Sequence, residues 1–211
     1  MILVSASTLL LFLSATVALN ITPGPDVLYV LANSARFGPR GGILASLGIS
    51  CGIVLHTTLA ALGIAALLLA HPWAMHVLRS AGALYLIMLG ISAFRAAAQH
   101  TTVVTTLSSG WRILARGFVT NASNPKVALF FLAFFPQFID VTRGAPTLQV
   151  LTLGAIFILS GTLVNVAYAC AGGWVSATLR HDPRWQGRLV RFSGGVLMLL
   201  GIRLLVPTRA A

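Results

Sequence analysis

Two ionisable side chains, Asp26 and Lys126, lie in otherwise apolar stretches and are the residues best suited to bind a charged molecule. Residues 1–25 carry no charge, and nine uncharged residues follow Asp26. The uncharged run after Lys126 has only 13 residues, and extending it to the full span 117–139 places Lys126 inside the membrane. A lone charge within a membrane is costly and usually serves a function. A carboxylate and an ammonium group together suit a zwitterionic ligand.

Each of these charges directly follows a proline, and a shift of 100 residues superimposes the two motifs. The string TPGPDV at 22–27 lies over ASNPKV at 122–127, so that Pro25 matches Pro125. A proline removes one backbone N–H and disturbs the preceding helical turn. Polar groups freed in this way are tolerated within a membrane only where they line a cavity or meet protein. The N-terminus of the helix that follows carries partial positive charge and suits a carboxylate.

Further matches extend the similarity to most of the chain. A shift of 109 lays Gly52 and His56 over Gly161 and Asn165, and a shift of 111 lays LIMLGI over LMLLGI. These matches predict a single all-α membrane domain of about six transmembrane helices, built as two three-helix repeats. Repeat one covers about 1–95, a loop covers 96–111, and repeat two covers about 112–206. Three is odd, so the second repeat must be inverted, as in many secondary transporters.

The predicted binding residues are the two motifs together with polar residues on neighbouring helix faces. Asp26, Tyr29 and Asn33 recur at spacings of three and four residues, which places them on one face of a helix. His56 and Asn165 are matched polar groups within spans, and an interhelical hydrogen bond is the more ordinary role for each. The predicted set is Pro23, Gly24, Pro25, Asp26, Tyr29, Asn33, His56, Asn124, Pro125, Lys126 and Asn165.

Structural explanations compete with a binding role for the two charges. Pro25 and Asp26 could simply begin a helix, since proline suits the first position and an acid suits the helix dipole. Lys126 could extend from a helix end toward the interface, and an Asp26–Lys126 ion pair could hold the two halves together. The occurrence of both motifs at matching positions favours a substrate site over these alternatives.

The composition excludes an ordinary soluble enzyme and a disordered chain. Of the 211 residues, 57% are hydrophobic and 8% are charged, and the mean hydropathy is +0.93. The net charge of +11 would suit nucleic-acid binding, but the arginines lie between long uncharged stretches, as in membrane proteins. We therefore expect a lipid bilayer and no nucleic acid among its partners. Cys51 and Cys170 lie in apolar stretches, without metal-ligand or redox spacing.

The charge-free intervals predict the spans and their orientation. After a retained first helix within 3–35, for which a signal peptide is the alternative, spans are expected at about 41–69, 80–95, 117–139, 144–179 and 192–208. A five-span arrangement is possible if one helix fails to insert. The odd-numbered loops carry nine arginines, and the other side carries four. The positive-inside rule therefore places the odd-numbered loops in the cytoplasm and both termini outside.

Four strings in the sequence carry a resemblance to a known family: ITPGPD near the first helix, NPKVALFFLAFFPQF at 124–138, and the glycine-containing strings GALYLIMLGI and GGVLMLLGI. They resemble the LysE/RhtB family of amino-acid exporters, and the resemblance covers residues 21–205. It implies a multi-pass carrier of the bacterial inner membrane, a homo-oligomer, and proton-driven amino-acid efflux. The 124–138 string looks more like the threonine/homoserine branch than the lysine branch.

The charge inventory predicts a neutral amino acid as substrate. Asp26 is the only acid within an apolar span, and with Lys126 nearby a second substrate cation would be poorly compensated. Asp26 is the candidate proton carrier, and one charge moved through 100 mV supplies about 2.3 kcal/mol, enough for a roughly fiftyfold gradient. Export of basic amino acids or of a divalent metal cation by the same architecture is the alternative. We expect no enzyme activity, no bound metal and no cofactor, since the sequence holds no nucleotide-binding motif or clustered metal ligands.

Overall fold

The fold is described from a computed structural model of the chain. The structure describes residues 4–22, 24–70 and 109–181, together with scattered residues within 77–91 and 191–202. For 64–70, 133 and 173–181, only the backbone is described. Every regular element in the described part of the chain is helical.

Helix α1 spans Ala6–Ile21 and ends at the first proline motif. Ser5 caps its N-terminus by accepting a hydrogen bond from the Thr8 amide at 3.1 Å. At the other end Thr22 leaves the helical conformation, with φ −62° and ψ 118°. A residue before a proline is pushed toward such extended angles, which explains why the helix stops here. The apolar stretch 3–35 is therefore broken near its centre.

Helix α2 spans Pro25–Ala70 but bends sharply at Gly38. This glycine has φ 70° and ψ −173°, and Pro39 follows it within the helix. Ser34 donates a hydrogen bond to the Ala169 carbonyl, and Gly42, eight residues later, also lies against Ala169. A straight helix would separate these two residues by about 12 Å. The chain therefore turns back at Gly38, where the first loop is predicted, and α2 consists of a short arm, 25–37, and a long arm, 39–70.

The second proline motif produces the same local structure. Helix α3 spans Gly110–Ala122, and the chain then becomes extended at Asn124 before α4, Pro125–Leu129, begins. The Asn124 side chain caps α4 by accepting a hydrogen bond from the Lys126 amide at 3.0 Å. A π-helical turn, Phe130–Phe134, and a 3-10 turn, Phe135–Phe138, continue α4. The predicted span 117–139 is thus two helical pieces, because Asn124 and Pro125 interrupt it. We call 125–138 the second short arm.

Helix α5 spans Pro146–His181 and is joined to the second short arm by a tight loop. Gln149 is fully buried and holds this loop closed through three hydrogen bonds. Its Oε1 accepts from the Asp140 amide at 2.9 Å, and its Nε2 donates to the carbonyls of Asp140 and Gly144, both at 2.8 Å. Thr142 and Arg143 donate to the Asp140 carboxylate, which holds the pKa of Asp140 below its usual range.

The short arms pack antiparallel against the first helix of the opposite repeat. Phe12 of α1 contacts Phe135 and Phe138 of the second short arm, with ring centroids 5.3 and 5.1 Å apart. Correspondingly, Tyr29 of the first short arm donates to the Ile113 carbonyl of α3 at 2.8 Å. Helix α2 also packs extensively against α5 and α3.

The described helices account for part of the predicted set of spans. Two helical stretches, Pro25–Gly63 and Pro146–Gly172, are long and apolar enough to cross a membrane, and Ala6–Ile21 and Pro125–Phe138 are shorter apolar helices. In the predicted third and sixth helices, the described residues are helical. Gly90 lies against Gly194 and Met198, while its repeat match Gly201 lies against Ala83. Residues 96–108 of the predicted loop 96–111, and the ends of the predicted third and sixth helices, lie outside the described residues.

Replacing Gln149 with leucine should lower stability by about 1–3 kcal/mol, because the amide and carbonyls of the 139–145 loop would lose their partners. The measurement is the melting temperature of the detergent-solubilised protein by fluorescence-detected size-exclusion chromatography. Thr152→Val is the matched control, since Thr152 is partly exposed and, among the described residues, its hydroxyl bonds to its own helix. Equal melting temperatures for Gln149→Leu and Thr152→Val would contradict the assignment.

Candidate functional site

Lys126 joins the start of the second short arm to the end of α1. Its ammonium group donates to the carbonyl oxygens of Leu19 at 2.7 Å and Thr22 at 2.9 Å. The last carbonyls of a helix lack intrahelical partners and carry partial negative charge, so a cation is stabilised there. The break at 22–24 is what exposes these carbonyls. Gly24 lies beside this ammonium group, and a β-carbon at this position would be in ordinary van der Waals contact with Nζ at 3.5 Å.

Asp26 occupies the equivalent position in repeat one and reaches the end of α3. Its Oδ2 accepts a hydrogen bond from Nδ2 of Asn121 at 2.8 Å. Asp26 lies in the first turn of α2, where the helix dipole favours an anion. Asp26 and Lys126 thus each bind the C-terminal end of the first helix in the other half of the chain. The two breaks lie side by side as a result.

Side chains of the long helices also donate hydrogen bonds to carbonyls at the ends of α1 and α3. His56 of α2 donates from Nε2 to the Asn121 carbonyl at 3.2 Å, and Tyr168 of α5 donates to the Ile21 carbonyl at 3.2 Å. Positions 21 and 121 are equivalent under the shift of 100 that superimposes the proline motifs. These bonds satisfy carbonyls that would otherwise be exposed in a low-dielectric interior.

Matched glycines allow the helix ends to approach the long helices. Gly52 of α2 lies against the side chain of Asn121, and a β-carbon at Gly52 would come within 2.6 Å of Oδ1. Its repeat match, Gly161 of α5, lies against Asn20, where a β-carbon would be 3.3 Å from Nδ2. The glycines that sequence matching relates across the repeats therefore face asparagines at corresponding helix ends.

A small cavity of about 10 Å³ lies between the two breaks, close to the space that one water molecule needs. One part of its wall is polar and includes both charges. The rest is formed by aliphatic and aromatic side chains. The polar residues are Asn20, Asp26, Asn121, Lys126 and Asn165, and the apolar ones are Val27, Ile49, Ile53, Val127 and Phe157.

Several predicted residues lie on or beside this cavity. Asp26, Lys126 and Asn165 line it, and the side chain of Asn124 lies near Asp26. Pro25 and Pro125 begin the helices that carry the charges. Pro23 lies outside the described residues.

Three predicted residues are used elsewhere. Tyr29 binds the Ile113 carbonyl, and Asn33 donates to the carbonyl of Tyr29 at 2.8 Å. His56 binds the end of α3 and stacks on Phe131, with centroids 5.7 Å apart. None of the three lines the cavity, and their contacts are those of helix packing.

Asn20 and Asn121 line the cavity but are absent from the sequence-predicted set. Asn20 lies five residues before Pro25, and Asn121 lies four residues before Pro125. The polar face that the sequence predicts, by contrast, begins at Asp26 and continues toward the C-terminus. An amide side chain within an apolar helix is the signal that could have identified them, since such groups require partners.

Two of the alternative explanations for the charges, an Asp26–Lys126 ion pair and a lysine that extends toward the interface, do not fit the geometry. Asp26 and Lys126, both within the described part of the chain, form no ion pair with each other; each instead binds the opposite helix end. Lys126 is directed into the protein rather than toward an interface. Among the described residues no cluster of three or more His, Cys, Asp or Glu side chains could hold a metal ion.

Comparisons with known proteins agree on one family. The family profile described as LysE type translocator matches residues 17–208. The chain is 31% identical to the homoserine/homoserine lactone efflux protein of Salmonella typhimurium, over 90% of this chain and 92% of that protein. It is 35% identical to the leucine efflux protein of Salmonella choleraesuis, over 74% and 72%. An uncharacterized membrane protein of Vibrio cholerae is 30% identical over 92% and 95%. No solved structure matches the chain significantly.

Replacing Gly52 with alanine should lower stability by about 1–3 kcal/mol and disturb the site, because the new methyl group would collide with Asn121. Gly63→Ala is the matched control on the same helix: within the described part of the chain nothing lies within 4 Å of its β-carbon position, so stability should be unchanged or slightly raised. Melting temperatures in detergent provide the comparison. A Gly52→Ala protein as stable as Gly63→Ala would disprove the close contact with Asn121.

Proposed function

The chain belongs to the LysE type translocator family, and from this premise we propose that it is a secondary-active exporter of small neutral amino acids. The observation that carries the proposal is the meeting of the two proline breaks at one cavity that holds both Asp26 and Lys126. The efflux proteins of homoserine and leucine among its relatives support amino acids as the substrate class. Membership of a translocator family also argues against an enzyme.

The two charges suit the two ends of an amino acid. A lysine ammonium group has three donors, and among the described residues two of those of Lys126 bind the carbonyls of Leu19 and Thr22; the third is proposed to bind a substrate carboxylate. The amide groups at the helix starts after Pro25 and Pro125 supply further positive potential. In the described part of the chain the carboxylate oxygen Oδ1 of Asp26 has no hydrogen-bond partner, and this oxygen suits the substrate ammonium group.

The rest of the cavity favours a neutral side chain. Its remaining walls include Ile49, Ile53 and Phe157, which offer no counter-charge for a lysine or arginine side chain. Asp26 is the single acid that lines the cavity, and it is already close to Lys126. A substrate with net charge zero therefore leaves the site electrically balanced.

Transport requires the cavity to enlarge, because room for one water molecule does not hold an amino acid. We propose that the two inverted repeats rock against each other and open the cavity to one side at a time. The antiparallel packing of each short arm on the opposite first helix supports this arrangement. Asp26 is the proposed proton carrier for antiport, since it faces the cavity and is the acid nearest to the substrate site.

The proposed setting is the bacterial inner membrane, with the odd-numbered loops in the cytoplasm and both termini outside. The membrane protein of Vibrio cholerae supports the membrane location. The proposed partners are an amino acid, protons and lipid, and the proposed assembly is a homo-oligomer.

Cells that express the chain and are fed mixed dipeptides should release a few neutral amino acids into the medium. Asp26→Asn and Lys126→Ala should each reduce this release to the level of an empty vector, because each removes one charge from the substrate site. An uncoupler should do the same. Asp140→Asn is the matched control, since Asp140 lies in the loop beside Arg143 and should leave export intact. Unchanged medium profiles, with the protein located in the membrane, would refute amino-acid export.

The same assay tests selectivity when the cells are fed dipeptides that contain leucine, threonine or arginine. Export of leucine or threonine should exceed that of arginine at least about tenfold, because a second cation lacks a counter-charge in the cavity. Amino-acid concentrations in the medium are measured by liquid chromatography. Strong arginine export without threonine or leucine export would overturn the neutral-substrate proposal and leave the exporter proposal standing.

A further inference from the structure

Polar atoms without partners concentrate around the cavity. Among the described residues, five buried side-chain nitrogen or oxygen atoms lack a hydrogen-bond partner. Four of these belong to Asn20, Asp26 and Asn121, which line the cavity, and to Asn124 beside it. Buried polar groups are nearly always paired in folded proteins, so such a cluster is suited to binding a polar ligand. The fifth atom, Oγ of Ser46, belongs to a residue that does not line the cavity.

Neighbouring hydrogen bonds determine which atoms are free. Nδ2 of Asn121 donates to Asp26, which leaves its Oδ1 as an unpaired acceptor. Oδ1 of Asn124 accepts from the Lys126 amide, which leaves its Nδ2 as an unpaired donor. The other two free atoms are the donor Nδ2 of Asn20 and the acceptor Oδ1 of Asp26. A ligand that pairs with all four atoms must therefore both donate and accept hydrogen bonds.

The free donors and acceptors match the two charged groups of a zwitterion. The nitrogens of Asn20 and Asn124 can donate to a carboxylate, as the Lys126 ammonium group can. The oxygens of Asp26 and Asn121 can accept from an ammonium group, and these two side chains are bonded to each other. The side chain of Asn124 also lies near Asp26, so all four free atoms belong to one group of contacts around the two charges.

We propose that Asn20, Asn121 and Asn124 are ligands for the zwitterionic head group of the transported amino acid. Asn20 and Asn124 donate to its carboxylate together with Lys126, and Asn121 accepts from its ammonium group together with Asp26. This assignment rests on the proposed function; it adds Asn20 and Asn121 to the site and gives Asn124, which the sequence already predicts there, a specific partner. A water molecule offers the same donors and acceptors and suits the closed cavity, so the test separates the two ligands.

Asn124→Asp is the decisive substitution, because it changes one free atom and preserves the existing contact. An aspartate oxygen still accepts from the Lys126 amide, and aspartate is as good a helix cap as asparagine. The free donor, however, becomes an acceptor that repels a carboxylate. Asn20→Asp makes the same change on α1, and Ser46→Ala removes the unpaired hydroxyl outside the cavity as a matched control.

The experiment measures binding of L-leucine and L-homoserine to the purified full chain in lipid nanodiscs. L-leucinamide, which lacks the carboxylate, and N-acetyl-L-leucine, which lacks the ammonium group, are the comparison ligands. The unsubstituted chain should bind both comparison ligands at least about tenfold more weakly than leucine. Asn124→Asp and Asn20→Asp should each lower the affinity for leucine about tenfold or more. Both variants should bind leucinamide at least as well as the unsubstituted chain does, since the amide group of leucinamide donates to the new carboxylate. Ser46→Ala should bind all ligands normally.

Each other result overturns a defined part of the proposal. If Asn124→Asp and Asn20→Asp lower the affinities for leucine and leucinamide equally, these residues position the helices without contacting the carboxylate of the ligand. If binding is unchanged and only the melting temperature shifts, the free atoms hold water. Both results leave amino-acid export standing. If the unsubstituted chain binds neither leucine nor homoserine, the proposed substrate class and the head-group site fail together.

Discussion

The structure depends on satisfying two broken helix ends within an apolar protein. Each break exposes the final carbonyls of a helix, and water cannot reach them from the surrounding hydrocarbon. Lys126 binds the carbonyls at the end of α1, and His56 binds the carbonyl at the end of α3. Local hydrogen bonds from Thr22, Ser123 and Asn124 satisfy part of each break. Because Lys126 and His56 come from the opposite half of the sequence, each half also helps to satisfy the break of the other. The close approach at Gly52 and Gly161, and the position of the cavity, follow from this exchange.

The sequence is sufficient to locate the breaks and the charges, because both depend on local chemistry. Pro25 and Pro125 begin helices whatever their surroundings, and a lone charge in an apolar stretch is visible from composition alone. The partners of these charges are not predictable in the same way. Lys126 binds carbonyls more than 100 residues away, and a backbone carbonyl has no signature in the sequence. Asn121 was missed for a related reason, since its role depends on its contact with Asp26.

Other features of the fold lie beyond pattern reading because packing determines them. The bend of α2 at Gly38 requires a positive φ of 70°, which favours glycine. A glycine alone does not predict such a bend, because other glycines of the same helix are helical. The π-helical turn Phe130–Phe134 admits an extra residue per turn and places its aromatic rings against Phe12 and Phe157. Hydrophobic periodicity predicts an ordinary helix here, because a π-helix is selected by tertiary contacts rather than by residue type.

The same contacts explain how binding of a substrate could drive a change of conformation under the proposed function. In the closed form Lys126 and Asp26 hold the two halves together through α1 and Asn121. A zwitterion that engages these charges competes with the contacts that close the cavity. A ligand shifts a conformational equilibrium only by the difference in its affinity for the two states. Because the closed cavity has room for about one water molecule, an amino acid binds the open states alone, and its binding free energy favours opening.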